Sequence, residues 1–327
     1  MTGTKRKLSG DYNLPEEIKT LDDLLDVAWY YKGNKFNSFN LWKAIPYIEQ
    51  LRNLVGMNKL KDRILSMILY YIGDFHITIN SDNKRIDNGE MMHIVIYGPP
   101  GCGKTSVIDI ISNILFSIGC IKSSNVIKKN KSDFISDHIG GSEAKTKKIL
   151  DDAVKNHSIL LIDETYSFGS RDVDSFSKII IDLLNQYLSE HKKDFICIIA
   201  GYKDDIERYF FKVNKGLERR FPWKFEIEPY LSSELLEIFK KKVKKEKWII
   251  DDDLCFKESD FDPSIFSFYG GDIDNLFSMC KTQHIRRVFG KDKNLQKIIS
   301  KNDFKRAYTI FIESKPKSDT KYLSMYM

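Results

Sequence analysis

Apolar and polar positions alternate in two different rhythms along this chain, and the change comes near Pro229. The first 17 residues are polar, and Leu21 to Tyr31 then has the spacing of a short amphipathic helix leading toward Ile45-Pro46-Tyr47. Beyond it, Met91 to Tyr97 is an apolar run broken at Gly98, and Ser158 to Ile162 and Phe195 to Ala200 are further runs of buried-strand character. Between these lie helical patterns at Lys104 to Ile118, Glu143 to Asn156 and Phe176 to Glu190, the last with Asp174 placed as an N-cap. Strands alternating with helices of this length predict a parallel sheet covered on both faces. After Pro229 the strand signal stops. Helical patterns at Ser233 to Lys245, Asp272 to Phe289 and Asn302 to Glu313 predict a small all-helical second domain. No internal repeat is present.

Composition narrows the class. With 327 residues, 42% hydrophobic and 30% charged, the chain can bury a sizeable core and is neither collagen-like, low-complexity nor disordered as a whole. The net charge of +6 is spread out, since 20 Lys and Arg against 17 Asp and Glu lie from Phe221 onward, and this weakens a nucleic-acid reading. The one dense basic patch, Lys240 to Lys247, reads as a solvated helix face. Five widely spaced cysteines without a CxxC pair read as reduced thiols, and no window approaches the length of a membrane span. The expectation is a soluble, intracellular, cytoplasmic protein. Its abundance of Lys, Asn and Ile suits an AT-rich genome, such as that of a parasite, an organelle or a large DNA virus.

Chemistry concentrates at Gly98-Pro99-Pro100-Gly101-Cys102-Gly103-Lys104-Thr105, which fits GxxxxGK[ST] directly after an apolar strand and before a helix. The glycines let backbone N–H groups turn inward around phosphate oxygens, and the helix start, including Ser106, adds positive potential. Lys104 reaches the β- and γ-phosphates, and Thr105 offers its hydroxyl to Mg²⁺. Cys102, at the tip, is read as a filler before a redox switch. Asp163 and Glu164 follow the apolar run ending at Ile162, 59 residues after Lys104. A strand buried on both faces delivers such carboxylates at the C-terminal edge of the sheet, where Asp163 would hold Mg²⁺ and Glu164 would activate water. The strand ending at Gly201 brings Tyr202 and Lys203 forward as candidates to reach the γ-phosphate, with an ordinary polar loop as the alternative. Arg220, in Gly216-Leu217-Glu218-Arg219-Arg220-Phe221, could neutralise charge on a γ-phosphate, although a surface salt bridge is the commoner fate of arginine.

In this order the motifs resemble an AAA+ ATPase. Within it, His138-Ile139-Gly140, Ala144-Lys145-Thr146-Lys147, Ile162-Asp163-Glu164-Thr165-Tyr166, Ala200-Gly201-Tyr202-Lys203-Asp204 and Gly216-Leu217 with Arg220-Phe221 resemble the red-type Rubisco activase and stage V sporulation protein K branch. Leu54-Val55-Gly56-Met57 with Lys61 resembles that branch's segment beside the adenine, which nominates Val55 and Gly56 as nucleotide contacts. The match runs from about Leu54 to Tyr308. The resemblance implies an α/β P-loop NTPase with a five-stranded parallel sheet in the order 5-1-4-3-2, a small all-helical lid, and a homo-oligomeric ring, usually of six, with ATP at each subunit boundary. It assigns Lys104 and Thr105 to phosphate and Mg²⁺, Asp163 to Mg²⁺, Glu164 to the general base, and Arg220 to a finger acting on the neighbour's ATP. Three positions depart from the family. His138 replaces the aromatic residue of its pore loop, Gly271 stands where a lid sensor arginine is expected so that Arg286 or Arg287 would have to substitute or no sensor exists, and Asn214-Lys215-Gly216 replaces Asn-Pro-Gly.

The resulting division is an N-terminal extension over 1–45, partly disordered, a nucleotide-binding α/β domain over 46–228, a helical lid over 229–315 and a tail over 316–327. The function expected is ATP hydrolysis coupled to remodelling of a protein client, with nucleic acid not favoured and no membrane partner. A clamp-loader-like ATPase and a nucleotide-dependent scaffold with little hydrolysis are the alternatives, and Glu164 argues against the scaffold.

Overall fold

The computed structural model describes residues 15–32, 41–79, 82, 84–136, 141–165, 168, 175–214, 216–251, 256–291 and 297–315. His138 with Ile139 and Gly140, Tyr166, the Asp174 cap, Lys215, Cys255 and the 316–327 tail lie outside the described residues. The chain divides into two units, one of Met1–Pro99 with Lys104–Glu228 and one of Pro100–Gly103 with Pro229–Met327.

In the first unit, helices α1 (Leu21–Tyr30), α2 (Leu41–Arg52) and α3 (Asn58–Ile72) precede a small antiparallel pair, β1 (Ile77–Ile79) and β2 (Arg85–Asp87). The elements that follow are β3 (Ile94–Tyr97), α4 (Lys104–Ser117), β4 (Val126–Lys129), α5 (Lys131–Phe134), α6 (Gly141–Lys155), β5 (Ile159–Ile162), α7 (Ser175–Glu190), β6 (Ile196–Gly201), the short α8 (Lys203–Asp205) and α9 (Phe211–Val213), and β7 (Trp223–Glu226). The five strands from β3 to β7 form one sheet in the order β4-β5-β6-β3-β7, all parallel. Counted along the chain this is 5-1-4-3-2, the order the resemblance implies.

The three central strands are buried at every position, and this is why they read as unbroken apolar runs. On one face Val95 and Tyr97 join Leu160, Ile181, Leu184, Phe210, Leu217 and Phe221 in a single core under α6 and α7. Helix α4 buries Val107, Ile108, Ile110, Ile111, Ile114 and Leu115, too wide a stripe for the sheet alone, and α2 packs against it, with α1 packed on α2. Thr20 caps α1, accepting from Asp23 N–H at 3.1 Å while Asp23 takes the Thr20 N–H at 2.8 Å. Pro46 lies inside α2, which runs unbroken through the 45/46 point at which the sequence was divided. It is tolerated because Pro46 and Trp42, whose carbonyl loses its helical donor, are both on the exposed side.

The second unit contains α10 (Ser232–Lys245), β8 (Ile249–Ile250), α11 (Gly270–Val288), β9 (Ile298–Ile299) and α12 (Lys301–Ser314). Among the described residues its strands are a two-residue parallel pairing of β8 with β9, which departs from the all-helical expectation. Phe239, Phe261, Phe266, Phe277 and Phe311 are fully buried at its centre. Ser300 caps α12 through Asp303 N–H at 3.2 Å.

Candidate active site

The glycine-rich loop leaves β3 at the C-terminal edge of the sheet. Gly98 N–H donates to Gly201 O at 3.0 Å, so the β3–β6 pairing extends into the loop's first residue. Gly101 and Gly103 adopt φ of 71° and 96°, left-handed conformations that a side chain would strain. At Gly101 space forbids a side chain as well, since a Cβ there would lie 2.1 Å from the carbonyl oxygen of Phe268. Helix α4 begins at Lys104, with Thr105 and Ser106 exposed on its first turn and no acidic residue there to offset the positive helix end. Lys104 Nζ donates to Gly98 O at 2.8 Å and Pro99 O at 2.7 Å, folding over the loop's own carbonyls. The loop tip, residues 100–103, groups with the C-terminal unit, where Gly270 N–H donates to Gly101 O at 3.1 Å and Tyr230 O–H to Cys102 O at 2.9 Å. Tyr230 escaped the sequence reading, since a lone tyrosine after a proline carries no motif. The Cys102 thiol is buried, in keeping with a filler.

The acids emerge at the same edge. Asp163 N–H donates to Lys129 O at 2.9 Å, continuing the β4–β5 ladder by one residue. Glu164 takes a left-handed φ of 52° and its N–H donates to Asp163 Oδ1 at 3.0 Å. Asp163 is half-buried and Glu164 exposed. The buried Thr165 hydroxyl donates to Ala200 O at 3.3 Å and ties this turn to β6. Because Ile162 pairs with Ile199 and Tyr97 with Gly201, the acids, Tyr202 and the start of the glycine loop line up across three adjacent strand ends.

Tyr202 is 40% exposed there. Lys203 is held by Glu226 at 2.8 Å, and that carboxylate raises the lysine pKa. Arg220 lies in a 3-10 turn, Glu218–Arg220. Its Nε donates to Ser189 Oγ at 3.1 Å and a terminal nitrogen to Gly216 O at 2.9 Å. Both acceptors are neutral, and no carboxylate pairs with Arg220 among the described residues.

Between α2 and α3, Gly56 and Met57 are consecutive left-handed residues, with φ of 61° and 57°, and Val55 is buried beside them. Lys61 Nζ donates to Leu54 O at 2.7 Å and Arg52 O at 3.1 Å, closing the end of α2. In the second unit Arg287 is bound to the buried Asp303, with Nε to Oδ1 at 3.0 Å and a terminal nitrogen to Oδ2 at 2.9 Å. Arg287 is thereby engaged within the second unit, and Arg286 is exposed.

A glycine cradle, an uncompensated helix start and a lysine beside it suit a nucleotide polyphosphate. A hydroxyl at Thr105 and a carboxylate at Asp163 are the hard oxygen donors that Mg²⁺ accepts alongside phosphate and water. No group of three or more His, Cys, Asp or Glu side chains able to hold a metal ion occurs among the described residues. No helix among them is long and apolar enough to cross a membrane.

Comparison with known proteins agrees with this chemistry. Residues 94–228 match the family model "ATPase family associated with various cellular activities (AAA)". A cfxQ-like protein of Acanthamoeba polyphaga mimivirus is 34% identical over 284 residues, 85% of this chain and 67% of the relative. Stage V sporulation protein K of Bacillus subtilis is 27% identical over 65% of this chain and 64% of its own length. The ESX-3 secretion system protein EccA3 of Mycobacterium leprae is 28% identical over 69% of this chain and 34% of its own length. The chain thus spans between a third and two thirds of these relatives. A RuvB point mutant of Thermotoga maritima shares the fold, with a TM-score of 0.52 at 18% identity over 80% of this chain and 72% of that one. With its glycine-rich loop, paired acids and 5-1-4-3-2 sheet, the chain belongs to the AAA family of ATPases, alongside cfxQ-like proteins and stage V sporulation protein K.

Proposed function

We propose that this protein hydrolyses ATP at the C-terminal edge of its sheet, as an oligomer in which Arg220 serves the ATP of a neighbouring subunit, and spends the cycle on remodelling a protein client. The observation that carries the reading is the alignment of the glycine loop, Asp163-Glu164 and Tyr202 on adjacent strand ends, with Arg220 held by neutral acceptors among the described residues. An intramolecular ion pair would consume the guanidinium charge, whereas two neutral hydrogen bonds orient it and leave the charge to act on another anion.

Lys104 leaves the carbonyls of Gly98 and Pro99 for the β- and γ-phosphates, a short swing for an ammonium on a flexible stem. Thr105 and Asp163 are the residues that would hold Mg²⁺, which would supply neutralisation of phosphate charge. Glu164, exposed beside Asp163, takes the proton of the attacking water, and Tyr202 hydrogen-bonds the γ-phosphate or that water. Val55 and Gly56 are proposed to border the adenine. The protein client is carried by the relatives named for sporulation and secretion, and the ring by the trans role of Arg220.

Mixing tests the reading. Arg220→Ala keeps a complete loop and Glu164, and Lys104→Ala keeps a complete finger. Each alone is expected to lose turnover by about a thousandfold or more, and exchanged mixtures to recover part of it. Mixtures that exchange subunits and stay inactive contradict a shared site.

A further inference from the structure

Edge strand β7 has two charged residues whose partners lie on different functional segments. Lys224 Nζ meets Glu218 Oε1 at 2.5 Å, and Glu218 stands two residues before Arg220 in the same turn. Glu226 Oε2 meets Lys203 Nζ at 2.8 Å, and Lys203 directly follows Tyr202. Positions 224 and 226 are two apart on a strand and so share one face of the sheet. Their register is fixed, because Lys224 pairs with Val95 and Glu226 with Tyr97, the residue before the glycine loop. Tyr97 is buried at this junction, with Lys203 Nζ 5.9 Å from its ring centre and the carboxylates of Glu207, Glu218 and Glu226 close enough to raise its pKa further than burial alone.

We infer that Lys224 and Glu226 form a positioning ladder that sets the Arg220 turn in register with the Tyr202 end of the same sheet. The inference rests on the trans reading of Arg220. Three of the four ladder side chains are about half-exposed, 47% for Lys203, 56% for Glu226 and 54% for Glu218, with Lys224 at 31%. Exposed pairs of this kind contribute little to stability. A stability role therefore does not account for two of them converging on one strand, and removing them leaves a folded protein to assay. The energetic reason for a positional role is that a displacement of about 1 Å at a group acting on a transition state costs up to about a hundredfold in rate. Arg220 has its side chain anchored on Ser189 and Gly216, and its backbone turn is anchored by Glu218. Ladder and anchors together fix the guanidinium at both ends.

The test uses the full chain, ATP as substrate and four substitutions. Lys224→Glu is expected to lower kcat about tenfold while KM for ATP stays within about twofold, because the damaged finger serves the neighbour and not the subunit's own binding site. Lys224→Glu combined with Glu218→Lys restores the pair with reversed polarity and is expected to recover most of kcat, which a merely structural defect would not do. Mixing Lys224→Glu with Lys104→Ala is expected to restore turnover, since the second protein donates an intact finger to the first protein's intact site. Arg220→Ala mixed with Lys104→Ala is the control. If the control recovers activity but Lys224→Glu turns over as wild type, or is rescued by neither the swap nor the mixture, the ladder is overturned and the trans finger stands. If the control itself fails, the trans finger falls and the ladder with it.

Discussion

At the scale of single residues, the structure assigns weight to positions no motif marks. His93 is fully buried, its Nδ1 accepting Cys197 N–H at 3.0 Å, so that Nε2 carries the proton and donates to Leu188 O at 3.2 Å. Burial pushes its pKa down to about 4. In the unfolded chain it titrates near 6.5. Between those values the unfolded state binds a proton that the folded state refuses, so stability falls as pH drops from about 6.5 to about 4, by about 3 kcal/mol in all. Denaturant unfolding across this range is expected to show that slope in the wild type and a shallower one in His93→Gln; parallel slopes would remove His93 as its source. The glycines divide in the same way. Gly101 and Gly119 both have positive φ, but a Cβ meets Phe268 O at 2.1 Å at the first and nothing within 4 Å at the second. Gly119→Ala is expected to cost about 1 kcal/mol of strain and leave ATP affinity alone, whereas Gly101→Ala abolishes ATP binding. Equal ATP affinities, measured by titration, would contradict the difference.

At the scale of elements, what could be read from the sequence depended on how many sides of an element are buried. Strands β3, β5 and β6 are covered on both faces and were visible as apolar runs. Strands β4 and β7 lie at the sheet edges, and Val-Ile-Lys-Lys and Trp-Lys-Phe-Glu carry the lysines that protect an edge, so neither stood out and only the family likeness supplied them. Helix α3 was missed although Leu60, Ile64, Ile68 and Tyr71 repeat with helical spacing, and α2 because Pro46 reads as a break. The site's motifs were legible because phosphate chemistry demands fixed residue types at fixed spacing. The anchors of Arg220 on Ser189 and of Cys102 on Tyr230 were not, because they join residues far apart in sequence through ordinary side chains. Packing of α2 on α4 gives a prediction of its own. Ile48 is fully buried and Trp42 is 43% exposed on the same helix. Ile48→Ala is expected to cost about 2 to 4 kcal/mol and Trp42→Ala less than about 1 kcal/mol, measured by denaturant unfolding. Equal losses would contradict the packing of this helix on the phosphate-loop helix.

At the scale of the whole molecule, a family scaffold carries a local chemistry that its members share and surfaces that they do not. The sheet places three strand ends beside one another, and on those ends the chain places the glycine-rich loop, the Asp163-Glu164 pair and Tyr202. Gly271, and Arg287 with its partner Asp303, lie in the second unit, away in sequence from these strand ends. A scaffold that merely holds ATP has no use for Glu164, and on this point the account is most exposed. The decisive measurement is ATP affinity and single-turnover hydrolysis, taken separately, for wild type, Lys104→Ala and Glu164→Gln. Lys104→Ala is expected to lose ATP binding, and Glu164→Gln to bind ATP as wild type while hydrolysing it at least about a hundredfold more slowly. Wild-type turnover by purified Glu164→Gln, or a wild-type protein that binds ATP and never cleaves it, would contradict the account.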